Sequence, residues 1–338
     1  MFFITVILVI SSLVFVIRGN RFSLFTKERT YLLKALLPYI IFIYHSHLFD
    51  WDFKITGPFV VSIFYFMSGY GLETKRIIGE ARSINYSFFI NALRKLLSPL
   101  FIPIIVFLLL RLYNTSFSVV LDEDVRKYQL ILPFTWFVVT LVILYLFFYA
   151  SVVISNRIKS KRNICLVIIT IEVLLFNIIG RFIGVPGYAH VTTTAFIAGF
   201  LYKRYENDIM NLYNKGVKML TVISSIVIIL LVVYIQSQVF GNIDRPLTAF
   251  VWPICFMLLY AVIPTFSQQS GFGKVITYLS SISYELYICQ SIAFILLGAK
   301  SQYHTVVYII LLFILCTIVA SVCKYIASKI FFLKSSKS

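Results

Sequence analysis

The stretch TWFVVTLVILYLFFYASVVI, residues 135–154, contains no charged side chain and is long enough to cross a bilayer as one helix. Similar apolar runs recur along the whole chain of 338 residues, which is 60% hydrophobic, 17% aromatic and 13% charged. Soluble domains do not have this composition. No polar stretch between the runs is long enough to fold alone, so the sequence predicts one all-α polytopic membrane protein.

Hydropathy and loop signals predict about ten to eleven transmembrane helices. The candidate spans are residues 2–17, 31–49, 57–72, 88–112, 130–154, 163–181, 190–202, 217–236, 246–265, 275–297 and 305–328. Lys and Arg concentrate in alternate loops between these spans, which predicts an N-terminus outside and a C-terminus in the cytoplasm. The net charge of +17 is therefore attributed to membrane topology, and no nucleic-acid partner is predicted.

Two ionisable residues share one face of the predicted span 31–49. Lys34 and His45 are eleven residues apart, so at about 100° per residue both point to one face, with about 16 Å between them along the axis. Ionisable groups inside a span are candidate functional residues, and an imidazole exchanges a proton near neutral pH. His45 is therefore predicted to be catalytic, with a structural histidine as the alternative. Lys34 is also explained by snorkelling to the cytoplasmic surface, and His47, on another face, by an interfacial position.

Five segments in a fixed order carry a family resemblance. They are KALLPYIIFIYHSH (34–47), GPFVVSIFYFMSGYGL (57–72), LRKLLSP (93–99), TWFVVTLVILYLFFY (135–149) and SSISYELYICQ (280–290). Together they resemble the signature of the acyltransferase family 3 membrane proteins, over about residues 30–328. Two positions depart from that signature: Lys34 stands where Arg is usual, and Gln290 stands where His is common. No catalytic role is carried onto Gln290.

The resemblance implies an O-acyltransferase that uses cytoplasmic acyl-CoA, commonly acetyl-CoA, to acylate hydroxyl groups of extracytoplasmic or lipid-linked carbohydrates. It implies a bacterial cytoplasmic membrane protein, surrounded by lipid and acting in surface polysaccharide modification. No metal is expected, and the five cysteines contain no CxxC pair. The expected organisation is an extra N-terminal helix and basic loop (1–29), the acyltransferase domain (30–328) and a basic cytoplasmic tail (329–338).

The same resemblance assigns roles to particular side chains. The predicted catalytic residues are His45 and Lys34, and the predicted donor-binding residues are Lys34, Arg94, Lys95, Ser68 and Gly69. The predicted acceptor-binding residues are Trp136, Tyr284, Glu285 and Tyr287, with orientation of His45 as the alternative role. Close helix contact is the alternative for the Ser68–Gly69 pair, and an interfacial aromatic belt is the alternative for Trp136.

Other functions fit parts of this pattern. A transporter or flippase of lipid-linked saccharides also has many apolar helices with a few buried charges, but it is favoured by inverted repeats, which are not evident here. A non-catalytic membrane scaffold is a third possibility, but it does not explain why a cation and a histidine lie on one face of a helix. For an enzyme, both a general-base route and an acyl-enzyme route remain open.

Overall fold

The computed structural model describes residues 26–45, 56–77, 84–113, 131–158, 163–212, 244–260, 266–297 and 305–331. The predicted spans 2–17 and 217–236, His47 and the tail from residue 332 lie outside these ranges. Within the described ranges all regular secondary structure is helical, and no strand is present. The prediction of an all-α membrane protein is therefore confirmed.

The described chain folds into thirteen α-helices. In chain order they are α1 (Lys27–His45), α2 (Thr56–Ile77), α3 (Tyr86–Leu97), α4 (Phe101–Tyr113), α5 (Trp136–Arg157), α6 (Ile164–Phe182), α7 (Gly187–His190), α8 (Thr194–Arg204), α9 (Glu206–Leu212), α10 (Asp244–Tyr260), α11 (Gly271–Ser281), α12 (Ser283–Leu297) and α13 (Thr305–Phe331). Turns of 3₁₀-helix connect α3 to α4 at Ser98–Leu100 and α7 to α8 at Val191–Thr193.

Four of the described helical segments are long and apolar enough to cross a membrane. They are Tyr86–Tyr113, Trp136–Arg157, Ile164–Phe182 and Val307–Ile330, and the bent pair α11 and α12 makes a fifth if it counts as one span. Helices α1 and α2 are not among them, since α1 carries several charged residues in its first half and α2 contains many glycine, serine and tyrosine residues. Helix α1 covers residues 31–45 of the predicted span 31–49, whose last four residues lie outside the described ranges, and α2 contains the predicted span 57–72.

The chain forms two compact units. Unit 1 contains Met1–Thr30, Phe53–Asn85 and Leu144–Phe266, and unit 2 contains Tyr31–Asp52, Tyr86–Ile143 and Ser267–Ser338. Among the described helices, α2, α6, α7, α8, α9 and α10 belong to unit 1, and α3, α4, α11, α12 and α13 belong to unit 2. His45 lies in unit 2.

The centre of unit 1 is the short helix α8, whose residues 194–200 are all buried. At eleven residues it is about 16 Å long, shorter than a bilayer core of about 30 Å. The predicted span 190–202 is thus a 3₁₀ turn followed by a short helix that protein surrounds. A Cβ on Gly199 would lie 2.1 Å from the Phe66 carbonyl oxygen, and one on Gly69 would lie 2.2 Å from the Phe196 carbonyl oxygen. Helices α2 and α8 therefore cross with their backbones in contact.

A buried carboxylate ties the ends of these helices together. Glu73 is 0% exposed and accepts hydrogen bonds from Nε and Nη2 of Arg76 at 2.6 and 2.7 Å. Nη2 of Arg204 donates to the same carboxylate at 3.0 Å. The hydrogen bonds to Glu73 raise the pKa of Arg76, which keeps this guanidinium charged. Two cations on one buried carboxylate make a fixed ionic cluster.

Unit 2 contains a break where the sequence predicts one continuous span over 275–297. Helices α11 and α12 meet at Ile282 with a bend of 70°. Serines on both sides of the break favour it, because a hydroxyl competes for backbone hydrogen bonds. The ammonium of Lys324 on α13 donates to the carbonyl oxygen of Ser281, which satisfies an acceptor left at the end of α11.

Aromatic contacts hold α1 against the other helices of unit 2. Phe42 stacks on Phe294 with ring centroids 5.0 Å apart and meets Phe313 edge-on at 6.1 Å. One turn earlier, the Tyr39 hydroxyl shares a hydrogen bond of 2.6 Å with Thr317. These contacts fix the rotation of α1 and therefore the direction in which its last residue, His45, points.

Candidate active site

The site is built around His45, the final residue of α1. Its side chain is half-buried, and its Nδ1 atom lies 2.7 Å from Oε1 of Gln290 on α12. The two residues are 245 positions apart in the chain. The position that departs from the family signature thus contacts the predicted catalytic histidine directly.

The amide of Gln290 determines which nitrogen of His45 carries the proton. Gln290 is 0% exposed, and its Nε2 donates to the Tyr287 carbonyl oxygen at 2.8 Å. A carbonyl oxygen only accepts, so the NH₂ group faces Tyr287 and Oε1 faces His45. An amide oxygen also only accepts. Nδ1 of His45 is therefore the protonated nitrogen, and Nε2 has the lone pair of a base.

A strained residue covers the imidazole. The Phe134 ring stacks on His45 with centroids 4.1 Å apart and planes 14° from parallel. Phe134 has a φ of 67°, a left-handed conformation that costs a residue with a side chain roughly 1 to 2 kcal/mol. The Tyr287 hydroxyl donates to the Phe134 carbonyl oxygen at 2.8 Å and holds it there. Backbone strain of this kind is common at functional sites.

The predicted acceptor residues divide into two groups. Tyr287 belongs to the His45 site, and Phe137 connects it to Trp136 through ring contacts of 5.2 and 6.4 Å. Trp136 itself is 7% exposed, so it packs within the protein. Tyr284 instead donates its hydroxyl to the Leu96 carbonyl oxygen at 2.6 Å.

Glu285 is 9% exposed and occupies the first turn of α12. The positive end of the helix dipole stabilises a carboxylate at this place, which gives Glu285 a structural reason to be buried. Tyr284 thus bonds to a backbone carbonyl of α3, and Tyr287 contacts residues around His45.

The predicted donor residues of unit 2 are cationic. Lys34 is half-buried on α1, and no described carboxylate forms an ion pair with it. Arg94 and Lys95 are exposed in the last turn of α3, where the negative end of the helix dipole favours cations. The structure shows Lys34 and His45 on the same helix, as predicted.

Ser68 and Gly69 belong to unit 1, where both make packing contacts. Gly69 lies against the backbone of Phe196, and the Ser68 hydroxyl is hydrogen-bonded to Tyr145. Gly69 therefore lies where two helices are in close contact, which is the alternative interpretation of this pair. Their donor-binding role stays a prediction.

Two residues of the site were missed by sequence reasoning. Gln290 was set aside because it is not the usual histidine, although an amide and an imidazole can both offer an acceptor to Nδ1. Nothing in the sequence indicated a role for Phe134, because a left-handed backbone conformation is expected of glycine or asparagine. In the part of the chain that the structure describes, no three His, Cys, Asp or Glu side chains are grouped to hold a metal ion.

The comparisons with known proteins identify the family of this chain. The family model described as an acyltransferase domain matches residues 22–325, nearly the whole chain. This protein belongs to acyltransferase family 3. No curated protein and no solved structure matches the chain closely enough to add to that assignment. It is therefore a membrane acyltransferase.

Proposed function

We propose that this acyltransferase moves an acyl group, most simply acetyl, from cytoplasmic acyl-CoA to a hydroxyl of an extracytoplasmic or lipid-linked carbohydrate. The proposed role is modification of a surface polysaccharide in a bacterial cytoplasmic membrane. Membership of the family supports the acyl-transfer chemistry. The observation that carries the proposal is the hydrogen bond from Nδ1 of His45 to Gln290, because it leaves Nε2 as a base.

The chemistry requires a base beside the acceptor. A sugar hydroxyl attacks a thioester well only if its proton is removed as the new bond forms, and a positioned imidazole contributes about 10² to 10⁴ in rate. In the proposed reaction Nε2 of His45 takes that proton. The stacked ring of Phe134 fixes the plane of the imidazole, so its lone pair has one direction.

The donor is proposed to bind towards the other end of α1. Lys34 lies about 16 Å from His45 along the helix axis. A long carrier with phosphates near Lys34 therefore reaches His45 with its thioester. Arg94 and Lys95 add two exposed cations within unit 2. In this proposal, with the N-terminus outside, α1 runs from the cytoplasmic to the outer side, so donor and acceptor approach from opposite faces.

Radiolabelled acetyl-CoA and membranes that contain the protein test this proposal. Wild-type membranes should transfer label to saccharide or glycolipid, and His45→Ala should reduce transfer at least about 100-fold. Equal transfer by His45→Ala would remove the role given to His45. A protein that incorporates no label but moves saccharide across vesicles would be a transporter or flippase instead.

The two routes to product are separated by a quench experiment. Wild-type protein mixed with labelled acetyl-CoA and no acceptor should carry no stoichiometric protein-bound label if His45 acts as a base. Label that appears on the protein and is then lost to added acceptor would support an acyl-enzyme route. Replacing Lys34 with Ala should raise the KM for acetyl-CoA more than it lowers kcat, because this residue is assigned to donor binding.

A further inference from the structure

We infer that Gln290 is a positioning residue that holds His45 in the tautomer with Nδ1 protonated. This inference rests on the proposed function and adds a second residue to the same site. Gln290 touches neither donor nor acceptor in this account. It acts through His45.

The inference follows from a chain of hydrogen bonds with one permitted direction. The Tyr287 carbonyl orients the amide of Gln290, and the amide oxygen orients the ring of His45. Each acceptor lacks a proton to give, so no reversal of the chain is possible without breaking a bond. Gln290 has no exposed surface, so water does not compete for its amide. Without this partner both tautomers of a neutral imidazole are available, and one of them has its base nitrogen on the wrong side.

An amide partner also fixes the path of the proton. The acceptor oxygen bonds to the acyl carbon while the hydroxyl proton moves to Nε2 of His45. The carbon–sulfur bond of the acyl-CoA then breaks, and the same proton passes from Nε2 to the thiolate sulfur, which leaves as the CoA thiol. The Nδ1 proton stays in place throughout, because the amide oxygen of Gln290 accepts a hydrogen bond but does not take up the proton.

Nuclear magnetic resonance of the intact protein tests the tautomer directly. The protein is labelled with ¹⁵N-histidine, and the His45 signals are identified by their loss in His45→Gln, since the chain has four histidines. Wild-type protein should show a protonated Nδ1 and an unprotonated Nε2 for His45 above the pH at which the ring is charged. A proton on Nε2 in the wild type would overturn the inference without the need for any variant at Gln290.

Three variants test the consequence for catalysis. Gln290→Met keeps the length of the side chain but removes both amide groups, and kcat should fall about 10- to 100-fold with KM for acetyl-CoA unchanged within about twofold. Gln290→His keeps an acceptor for Nδ1 and should retain a kcat within about tenfold of the wild type. Ser291→Ala is the matched control, because Ser291 is buried beside Gln290 and its hydroxyl has no hydrogen-bond partner among the described residues.

The outcomes separate this inference from the proposed function. If Gln290→Met keeps full kcat while His45→Ala is inactive, Gln290 does not position His45 but His45 remains the base. If Gln290→His is as slow as Gln290→Met, an acceptor at this position is not what His45 needs, and the inference fails. If His45→Ala keeps full activity, the role of base that the proposed function gives to His45 is wrong, and the inference about Gln290 is wrong with it.

Discussion

His45 in unit 2 and His190 in unit 1 have the same protonated nitrogen for different reasons. His190 is 6% exposed, and its Nδ1 donates to the Pro186 carbonyl oxygen at 3.1 Å, four residues earlier. His45 is half-buried, and its Nδ1 donates to a side chain 245 residues away. A backbone turn alone is sufficient to hold a structural histidine. The long-range contact with Gln290 and the strained Phe134 that stacks on the ring are the two features on which the role proposed for His45 depends.

The largest expected effect comes from replacing each of the two histidines with glutamine in a separate variant. His45→Gln should lower acetyl transfer at least about 100-fold, because the base is lost. His190→Gln should stay within a few-fold of the wild type, measured per molecule of folded protein in the same labelled assay. A similar loss in both variants would mean that the contrast between a local and a long-range partner does not distinguish function.

Removing the buried carboxylate of unit 1 should lower stability and leave the rate intact. Glu73→Gln leaves Arg76 and Arg204 without their shared counter-ion, and breaking a buried pair costs about 3 to 5 kcal/mol. The melting temperature in detergent should fall strongly, with kcat retained below it. Glu206→Gln, which removes a less buried partner of Lys203, should cost less than about 1 kcal/mol. Equal falls in melting temperature in the two variants would show that burial of the ion pair does not determine how much stability is lost.

The crossing of α2 and α8 provides a test of Gly69. Gly69→Ala and Gly199→Ala place a methyl group against backbone carbonyls and should destabilise the protein by about 1 to 3 kcal/mol. Gly71→Ala is the control, since nothing lies within 4 Å of its added Cβ. Thermal unfolding measures the effect. A raised KM for acetyl-CoA in Gly69→Ala, without loss of stability, would support the donor-binding prediction instead of packing.

The smallest expected effect concerns the cover over His45. Tyr287→Phe removes the hydrogen bond to the Phe134 carbonyl, worth about 0.5 to 1.5 kcal/mol, and should lower kcat a few-fold with little change in melting temperature. Tyr278→Phe removes the hydrogen bond from an exposed tyrosine of α11 to the Ser321 hydroxyl and serves as the control, with kcat unchanged. If the two variants behave alike, the strained conformation of Phe134 does not contribute to the rate.

Local periodicity predicted the part of the site that lies on one helix. Lys34 and His45 share a stripe because eleven residues are close to three whole turns, and the structure has both on α1. Hydropathy predicted the span 275–297 but not its bend of 70° at Ile282. Hydropathy reports only how long an apolar stretch is. The break in the helix depends instead on the serine hydroxyls beside it and on a lysine from α13.

Composition and apolar spacing by themselves determined a helical membrane protein, and the ordered segments from 34 to 290 determined its family. Both properties depend on each residue's own chemistry and on its near neighbours in sequence. Only the tertiary structure decided that Gln290 contacts Nδ1 of His45, that Phe134 stacks on it in a strained conformation, and that Gly69 lies in a helix crossing. These facts depend on contacts between distant residues, which no local pattern encodes, because such contacts form only when packing brings separate helices together.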